Sequence, residues 1–542
     1  MKKLLSIVSG AFLTGILMSQ SAAAQQACEN LTSLKLDHAN IVSAALVPEG
    51  PFNIVRPGGP SVSITLPAFC RVKGVSKPSS DSEINFEVWL PASGWNGKFE
   101  QAGNGGWAGS IPVPSLADGL LRGYATAGTD DGHTGGSNAV WAMGHPEKLI
   151  DFGYRAVHDT SIQAKAVLQA FYAKSESRDY FVGCSDGGRE ALMEAQRYPD
   201  DFNGIVAGAP ANYWTHLLTE AVWNAQALAK TPESYIPAAK LPAIQKAAVA
   251  ACDTLDGVKD GLIEDPRECK FDPAVLKCTG DDNNECLTQP QIDALRAIYA
   301  GPKNPRTGEQ LFPGLAPGTE AVPGNWALWV TGGSREHSYQ LMFGSTYFGD
   351  TIFSDVKWDY KTLNFDKDVE LADSKSSQIL NSNDPDLSKF RARGGKLIQY
   401  HGWGDAAIPP LNSIEYYQRV TALMDRMGKG EAVQSFYRLF MVPGMGHCAG
   451  GLGANNFGNS GAFYLPQVDA DHDVVSALDR WVEKGVAPDK IIGTGYVNGA
   501  KDKGVALTRP LCPFPKVAKY KGTGSTDDAA NFDCVAPKRA VH

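Results

Sequence analysis

A chain of 542 residues with 43% hydrophobic and 20% charged side chains has the make-up of a globular protein and the length to bury a large core. Its formal net charge of −9, with the basic residues scattered, argues against a nucleic-acid partner. Its ten cysteines, an even number, suit an oxidising compartment in which disulfides persist.

In chain order, the first element is a targeting segment. Met1-Lys2-Lys3 supplies positive charge, Leu4 to Met18 is mostly apolar, and Ser21-Ala22-Ala23-Ala24 offers small residues for cleavage. The apolar stretch falls short of the ~20 residues that a membrane span needs. Residues 1–24 are therefore expected to be a signal peptide, and the mature chain to be periplasmic or secreted. Nothing further along resembles a membrane span.

Ser61–Leu66 and Ile84–Leu90 read as strands, the second with clear period-two alternation. Phe99–Ala102 leads into the glycine-rich loop Gly103-Asn104-Gly105-Gly106, and Tyr124–Gly128 is another strand. Ile150–Tyr172 reads as a long helix. The next segment carries the strongest signal in the chain. Asp179-Tyr180-Phe181-Val182 is a short buried strand, Gly183-Cys184-Ser185-Asp186-Gly187-Gly188 follows, and Arg189–Gln196 are strong helix formers. Strand, Gly-x-Ser-x-Gly and helix together form a nucleophile elbow. Gly204–Pro210 is a further buried strand with a terminating turn. Strands alternating with helices predict an open, mostly parallel sheet.

That rhythm stops after Pro210 and resumes at Gly395–His401, with Ser435–Val442 as the next strand and Val474–Val482 as a late helix. The expected architecture is α/β: a hydrolase core in two parts, 25–211 and 386–542, interrupted by a lid at 212–385 that overlies the strand ends where ligands bind. In such a core the triad runs serine, acid, histidine. Ser185 is the expected nucleophile. Asp405, in His401-Gly402-Trp403-Gly404-Asp405, is the expected acid, with Asp469 and Asp471 in reserve. His447, in Gly444-Met445-Gly446-His447-Cys448, is the expected base. The oxyanion needs two aimed N–H groups. One is expected from Asp186, the other from Gly105 or Gly106, equally. His401 is the remaining histidine best placed to line the site.

A serine–imidazole contact of about 2.6–3.2 Å would also bring the neighbouring Cys184 and Cys448 within bridging reach, since linked Cβ atoms need only about 3.5–4.5 Å. Spacing makes Cys252–Cys269, Cys278–Cys286 and Cys512–Cys534 natural local clips and leaves Cys28 with Cys70. No Cys-x-x-Cys or paired cysteine–histidine spacing favours zinc. No His-Glu-x-x-His, phosphate loop or dinucleotide fingerprint occurs. Inside the lid, Asp253 to Ile263 crowds three carboxylates and two glycines into one loop, a hard oxygen set suited to Ca²⁺ but spaced unlike an EF-hand.

Taken together, Gly183–Arg189, Gly208–Ala211, Asp253–Gly261, His401–Asp405 and Gly446–Cys448 resemble the tannase/feruloyl esterase family, which includes mono(2-hydroxyethyl) terephthalate hydrolases. The likeness spans nearly all of the mature chain. It implies a triad braced by the Cys184–Cys448 disulfide and a structural Ca²⁺ held by the Asp253, Asp256 and Asp260 side chains with the Val258 and Leu262 carbonyls. It also implies small aromatic-acid esters as substrates, with feruloyl or other hydroxycinnamoyl esters first, and galloyl esters or terephthalate monoesters as alternatives. The aromatic run Trp326, Trp329, Tyr339, Phe343, Tyr347 and Phe348 is able to stack on such a ring, and a lid core accounts for most of it equally well. A calcium-stabilised binding protein on a hydrolase scaffold is the non-enzyme alternative.

Overall fold

A computed structural model describes residues 27–54, 61–428, 430–459, 461 and 467–537; the leader expected at 1–24 lies outside them. Nine strands form one sheet: β1 (Ala39–Val47), β2 (Phe69–Ser76), β3 (Ile84–Pro91), β4 (Lys98–Ala102), β5 (Ala125–Thr129), β6 (Arg178–Cys184), β7 (Gly204–Gly208), β8 (Lys396–Gly402) and β9 (Tyr437–Val442). Their spatial order is β1-β2-β3-β5-β4-β6-β7-β8-β9. Pairings from β1 through β3 to β5 are antiparallel, and every pairing from β5 to β9 is parallel.

The long helices are α1 (Val113–Leu121), α2 (Ala156–Tyr172), α3 (Asp186–Arg197), α4 (Trp214–Ala229), α5 (Leu241–Cys252), α6 (Gln289–Ala300), α7 (Tyr339–Thr346), α8 (Lys367–Leu380), α9 (Leu411–Arg426) and α10 (Val474–Lys484). Parallel strands must be covered on both faces, and alternate residues show the cover. Phe181, Ile205, Leu397 and Leu439 face Val167, Leu192 and Val420 of α2, α3 and α9. Their neighbours Tyr180, Val206, Ile398 and Phe440 face Val475, Leu478 and Trp481 of α10. The C-terminus of α10 turns on Gly485, whose φ of +69° suits glycine.

Segment 209–395 gives no strand to the sheet among the described residues. It is built from α4–α8 and short turns around two apolar clusters. One holds Ile244, Ile292, Leu295 and Trp326. The other merges Trp214, Leu218, Tyr347 and Phe348 with Trp107 and Phe152 of the sheet side, so the insertion shares a core with its host. Five disulfides close the structure: Cys28–Cys70, Cys184–Cys448, Cys252–Cys269, Cys278–Cys286 and Cys512–Cys534. No described helix is long and apolar enough to cross a membrane.

Candidate active site

Ser185 stands at the turn between β6 and α3 with φ +68° and ψ −119°, a strained setting for a residue with a side chain. The glycines around it are there for space. A Cβ on Gly183 would collide with the Gly187 carbonyl, one on Gly188 with the Gly208 carbonyl, and one on Gly187 would lie 2.8 Å from the Asn104 carbonyl oxygen. The Ser185 N–H donates to the Gly208 carbonyl at 3.0 Å, and its own carbonyl accepts from Gly188, Arg189 and Ala211. This dense bonding holds the strain in place.

The loops after β8 and β9 bring two further residues to the serine. With the ring proton on Nδ1, the Ser185 hydroxyl donates to His447 Nε2 at 2.9 Å and His447 Nδ1 donates to Asp405 Oδ2 at 2.8 Å. Asp405 Oδ1 accepts from the Ala407 and Ile408 N–H groups at 2.8 and 2.9 Å. Burial alone would push the Asp405 carboxyl up, but the His447 and His401 imidazoles outweigh it and hold the group well below the usual carboxylate range. The reserve acids are engaged elsewhere, Asp469 with His472 and Asp471 with Arg480. The Cys184–Cys448 bridge, with Cα atoms 6.0 Å apart, joins the residues flanking Ser185 and His447.

His401 does not line the site. Its ring is wholly buried behind Asp405, with Nε2 3.2 Å from Oδ2 and Nδ1 2.7 Å from the Ser413 hydroxyl. It is packed there because β8 points it into the sheet's cover and not toward the strand end, so it supports the acid and touches no ligand space.

The glycine loop after β4 is pinned to the elbow: Gly187 N–H donates to the Asn104 carbonyl at 2.9 Å. Gly106, at φ +63°, borders the cavity beside Ser185 and Asp186, whereas the Gly105 carbonyl accepts from Ala108 in a turn. The cavity itself is apolar. Trp214, Leu217, Leu218 and Ala221 of α4 form one wall, and Trp329, Gln340 and Phe343 another. Trp329 presents its ring nearly edge-on to His447 at 5.1 Å and lies almost parallel to Phe343 at 6.1 Å. Trp326, Tyr347 and Phe348 are buried in the clusters of the insertion, and Tyr339 is half exposed against Trp329. The Gln340 amide is tied to the Ala406 carbonyl and to Glu220, a buried acid pushed up to about 8 chiefly by desolvation. Sequence reasoning missed the α4 wall, whose apolar residues carry no motif. Ala407 and Ile408 were within reach, because they follow Asp405 in the same turn.

The acidic loop lies at the seam between the insertion and the C-terminal hairpins. Asp253 Oδ1 accepts from the Asp260 and Gly261 N–H groups at 3.1 and 3.0 Å. Asp256 accepts from Val258 at 2.9 Å, and Asp260 from Leu262 at 3.2 Å and from Arg509 at 2.6 Å. Burial raises Asp256 and Asp260, and the repulsion of neighbouring carboxylates adds to it; Glu264 is pushed up to about 8, first by desolvation and then by Asp256. Among these described groups, one guanidinium faces an excess of carboxylates on a tight loop. Carboxylates are the donors a hard cation takes, although those of Asp253, Asp256 and Asp260 do not all converge within 4.8 Å of one another. The Leu262 side chain reaches the loop that carries His447, where a Cβ on Gly444 would meet it at 2.7 Å.

A serine on an elbow, followed in sequence by its acid and then its histidine at the ends of a largely parallel sheet, defines an α/β-hydrolase. Residues 70–535 match the family model for tannase and feruloyl esterase. An uncharacterized esterase of Xanthomonas campestris is 44% identical, over 98% of this chain and 94% of that protein. The solved structure of feruloyl esterase B from Aspergillus oryzae is 32% identical with a TM-score of 0.84, covering 94% of this chain and 100% of that one. Tannin acyl hydrolase from Aspergillus niger is 25% identical with a TM-score of 0.74, covering 95% of each chain. The chain belongs to the tannase and feruloyl esterase family and is a carboxylic ester hydrolase.

Proposed function

We propose that this enzyme hydrolyses esters of hydroxycinnamic acids, feruloyl esters foremost, through a Ser185–His447–Asp405 triad and an acyl-enzyme. The observation that carries the reading is the Ser185–His447 contact of 2.9 Å at the mouth of an apolar, aromatic cavity. Ser185 Oγ attacks the ester carbonyl carbon while its proton passes to His447 Nε2. The resulting oxyanion is met by the Asp186 N–H and, of the two loop glycines, by Gly106, which borders the cavity. The C–O bond breaks, and the leaving alcohol takes the proton from Nε2. Water then attacks the acyl-enzyme by the same route and releases the acid. Asp405 fixes the tautomer and stabilises the imidazolium without taking its proton.

The lining also favours one acid over another. A galloyl ring would bring three hydroxyls against Trp, Leu, Phe and Ala with Gln340 as the one lid amide nearby. Each buried, unpaired hydroxyl costs about 1–3 kcal/mol. A feruloyl ring brings one hydroxyl and one methoxy group. Across methyl ferulate, methyl gallate, chlorogenate and a terephthalate monoester, kcat/KM for the ferulate is expected to exceed that for the gallate by about tenfold or more. A preference for gallate would replace this reading with a tannase.

Calcium would be held by Asp253, Asp256 and Asp260 with the Val258 and Leu262 carbonyls. It would supply charge neutralisation and a crosslink, and no chemistry. A ligand bound only by the folded state stabilises it. Chelation is therefore expected to lower Tm before it lowers kcat at moderate temperature. Metal analysis of folded, unchelated protein that finds no calcium would sink the assignment. The leader expected at 1–24 and the pairing of all ten cysteines support export to an oxidising compartment. Finding the mature enzyme in a periplasmic or culture-medium fraction, with its N-terminus near Gln25, would test that.

A further inference from the structure

Beneath the elbow helix lies a cluster that the triad does not use. Asp131, just past β5, Asp186 and Glu190 are all buried, and their carboxylate oxygens lie within 4.8 Å of one another. Arg189 does not neutralise the set. Its Nε donates to Asp186 Oδ1 at 2.5 Å, and its two terminal nitrogens go to the Gly153 and Phe152 carbonyls at 2.7 and 2.9 Å. Both oxygens of Asp131, Oε1 of Glu190 and Oδ2 of Asp186 find no donor among the described residues. Glu190 Oε2 is the exception, accepting the Asn104 N–H at 2.9 Å.

Asn104 opens the glycine loop of the oxyanion site. Its N–H goes to Glu190, its carbonyl to Gly187 of the elbow helix, and its side-chain amide to the Thr129 carbonyl of β5 at 2.9 Å. There is no slack, since a Cβ on Gly103 would stand 2.7 Å from Glu190 Oε2 and 2.7 Å from the Gly187 Cα. The position of Glu190 therefore sets the position of the loop.

We propose that Asp131 is a positioning residue: a neutral carboxylic acid that donates its O–H to Glu190 and so holds the oxyanion loop on the elbow. The inference rests on the triad reading above. Adjacent carboxylates in a dry interior cannot all ionise, and a shared proton turns their repulsion into a short, charge-assisted bond. Burial, and after it the charge of Glu190, raise the Asp131 carboxyl well above its ordinary range. The cation alternative is weaker because Ca²⁺ wants six to eight oxygens, and the unpartnered oxygens named above are four. Of the other titratable groups near the pair, Asp130 is turned to Asn85 and the Gly132 N–H, and His133, pushed down to about 4 by burial, is neutral. Glu194, a turn along α3, finds no donor for either oxygen among the described residues and is raised by burial and then by Asp201, with Glu190 adding to it.

Because the native state holds the Asp131 proton, the arrangement is intact at low and neutral pH and is lost as pH rises through the raised pKa. The test compares Asp131→Asn, which keeps an N–H donor but cannot ionise, with Asp131→Ala, at temperatures where circular dichroism shows each folded. Asp131→Ala is expected to lose about 10- to 100-fold in kcat with little change in KM. Asp131→Asn should recover most of that loss and lack the alkaline decline of the wild type. Wild-type kcat in Asp131→Ala would overturn the proposal, as would an unchanged alkaline limb in Asp131→Asn. So would metal analysis finding about one ion per chain that Asp131→Asn alone has lost, which would make the cluster a cation site. The pH profile decides the matter even if Asp131→Ala fails to fold. A Ser185→Ala control separates the two readings: activity there breaks the triad, whereas silence there with a fully active Asp131→Ala breaks the pair alone.

Discussion

Replacing Ser185 by alanine is expected to lower kcat by about 10⁴- to 10⁶-fold, by analogy with serine hydrolases stripped of their nucleophile. The fold should not suffer. The elbow is held by backbone bonds to Gly208, Gly188, Arg189 and Ala211, none of which involves the hydroxyl, and the methyl group of alanine is no larger than the side chain it replaces. What disappears is the atom 2.9 Å from His447 Nε2. The residual rate would come from the oxyanion donors and from binding. Turnover of methyl ferulate should be followed beside a thermal melt. Near wild-type turnover in a well-folded Ser185→Ala protein would end the triad assignment, whatever the family resemblance says.

The second large effect is expected from removing Cys184 and Cys448 together. Their bridge closes a loop with a sequence separation of 264. Chain-entropy reasoning places the stabilisation at about 4–5 kcal/mol, reduced by any residual structure in the unfolded chain. The loss in rate should be more telling than the loss in stability. Because the bridge ties the residue before the nucleophile to the residue after the base, its removal frees the one contact that chemistry needs. A displacement of about 1 Å there is worth up to 10²-fold. The double alanine variant should therefore be slow well below its melting temperature, and non-reducing peptide maps of the wild type should recover the two segments as one species. Free thiols at both positions in active enzyme would refute the bracing role and leave Ser185 untouched.

The elements that position the chemistry were legible because their sequences are extreme. The strand ending at Val182, the Gly183–Gly188 turn with its serine and the helix formers after it together mark an elbow, and β8 and β9 are rich in apolar and aromatic residues, Leu397, Ile398 and Tyr400 in one and Tyr437, Leu439, Phe440, Met441 and Val442 in the other. β1 was missed for the opposite reason. Ala39–Val47 carries three alanines and an asparagine, and its inner face is defined only by pairing with β2. The C-terminal hairpins Ile491–Tyr496 with Val505–Leu511, and Val517–Tyr520 with Phe532–Val535, are short and depend on tertiary pairing that no local pattern announces. Helix α9 begins directly after Pro409-Pro410, with Pro410 at its N-cap. In the site, the order serine, acid, histidine could be read from motifs. The walls could not, because an apolar helix face such as that of α4 looks the same whether it meets a core or a ligand. His401 shows the converse hazard: a histidine inside a catalytic motif that serves its neighbour and not the substrate.

The division of labour between sheet and insertion bears on how such an enzyme changes over generations. The proposed triad comes from the ends of β6, β8 and β9, while Trp214, Leu217, Gln340 and Phe343, which line the cavity beside it, come from segment 209–395. Substitutions in the insertion are thus expected to shift which acid is accepted while the reaction stays the same. Trp329 is the exception. It belongs to the insertion, yet its ring stands against His447. Replacing that tryptophan to admit a new acid is therefore expected to disturb His447 as well, so that a change of specificity at this position also changes the rate.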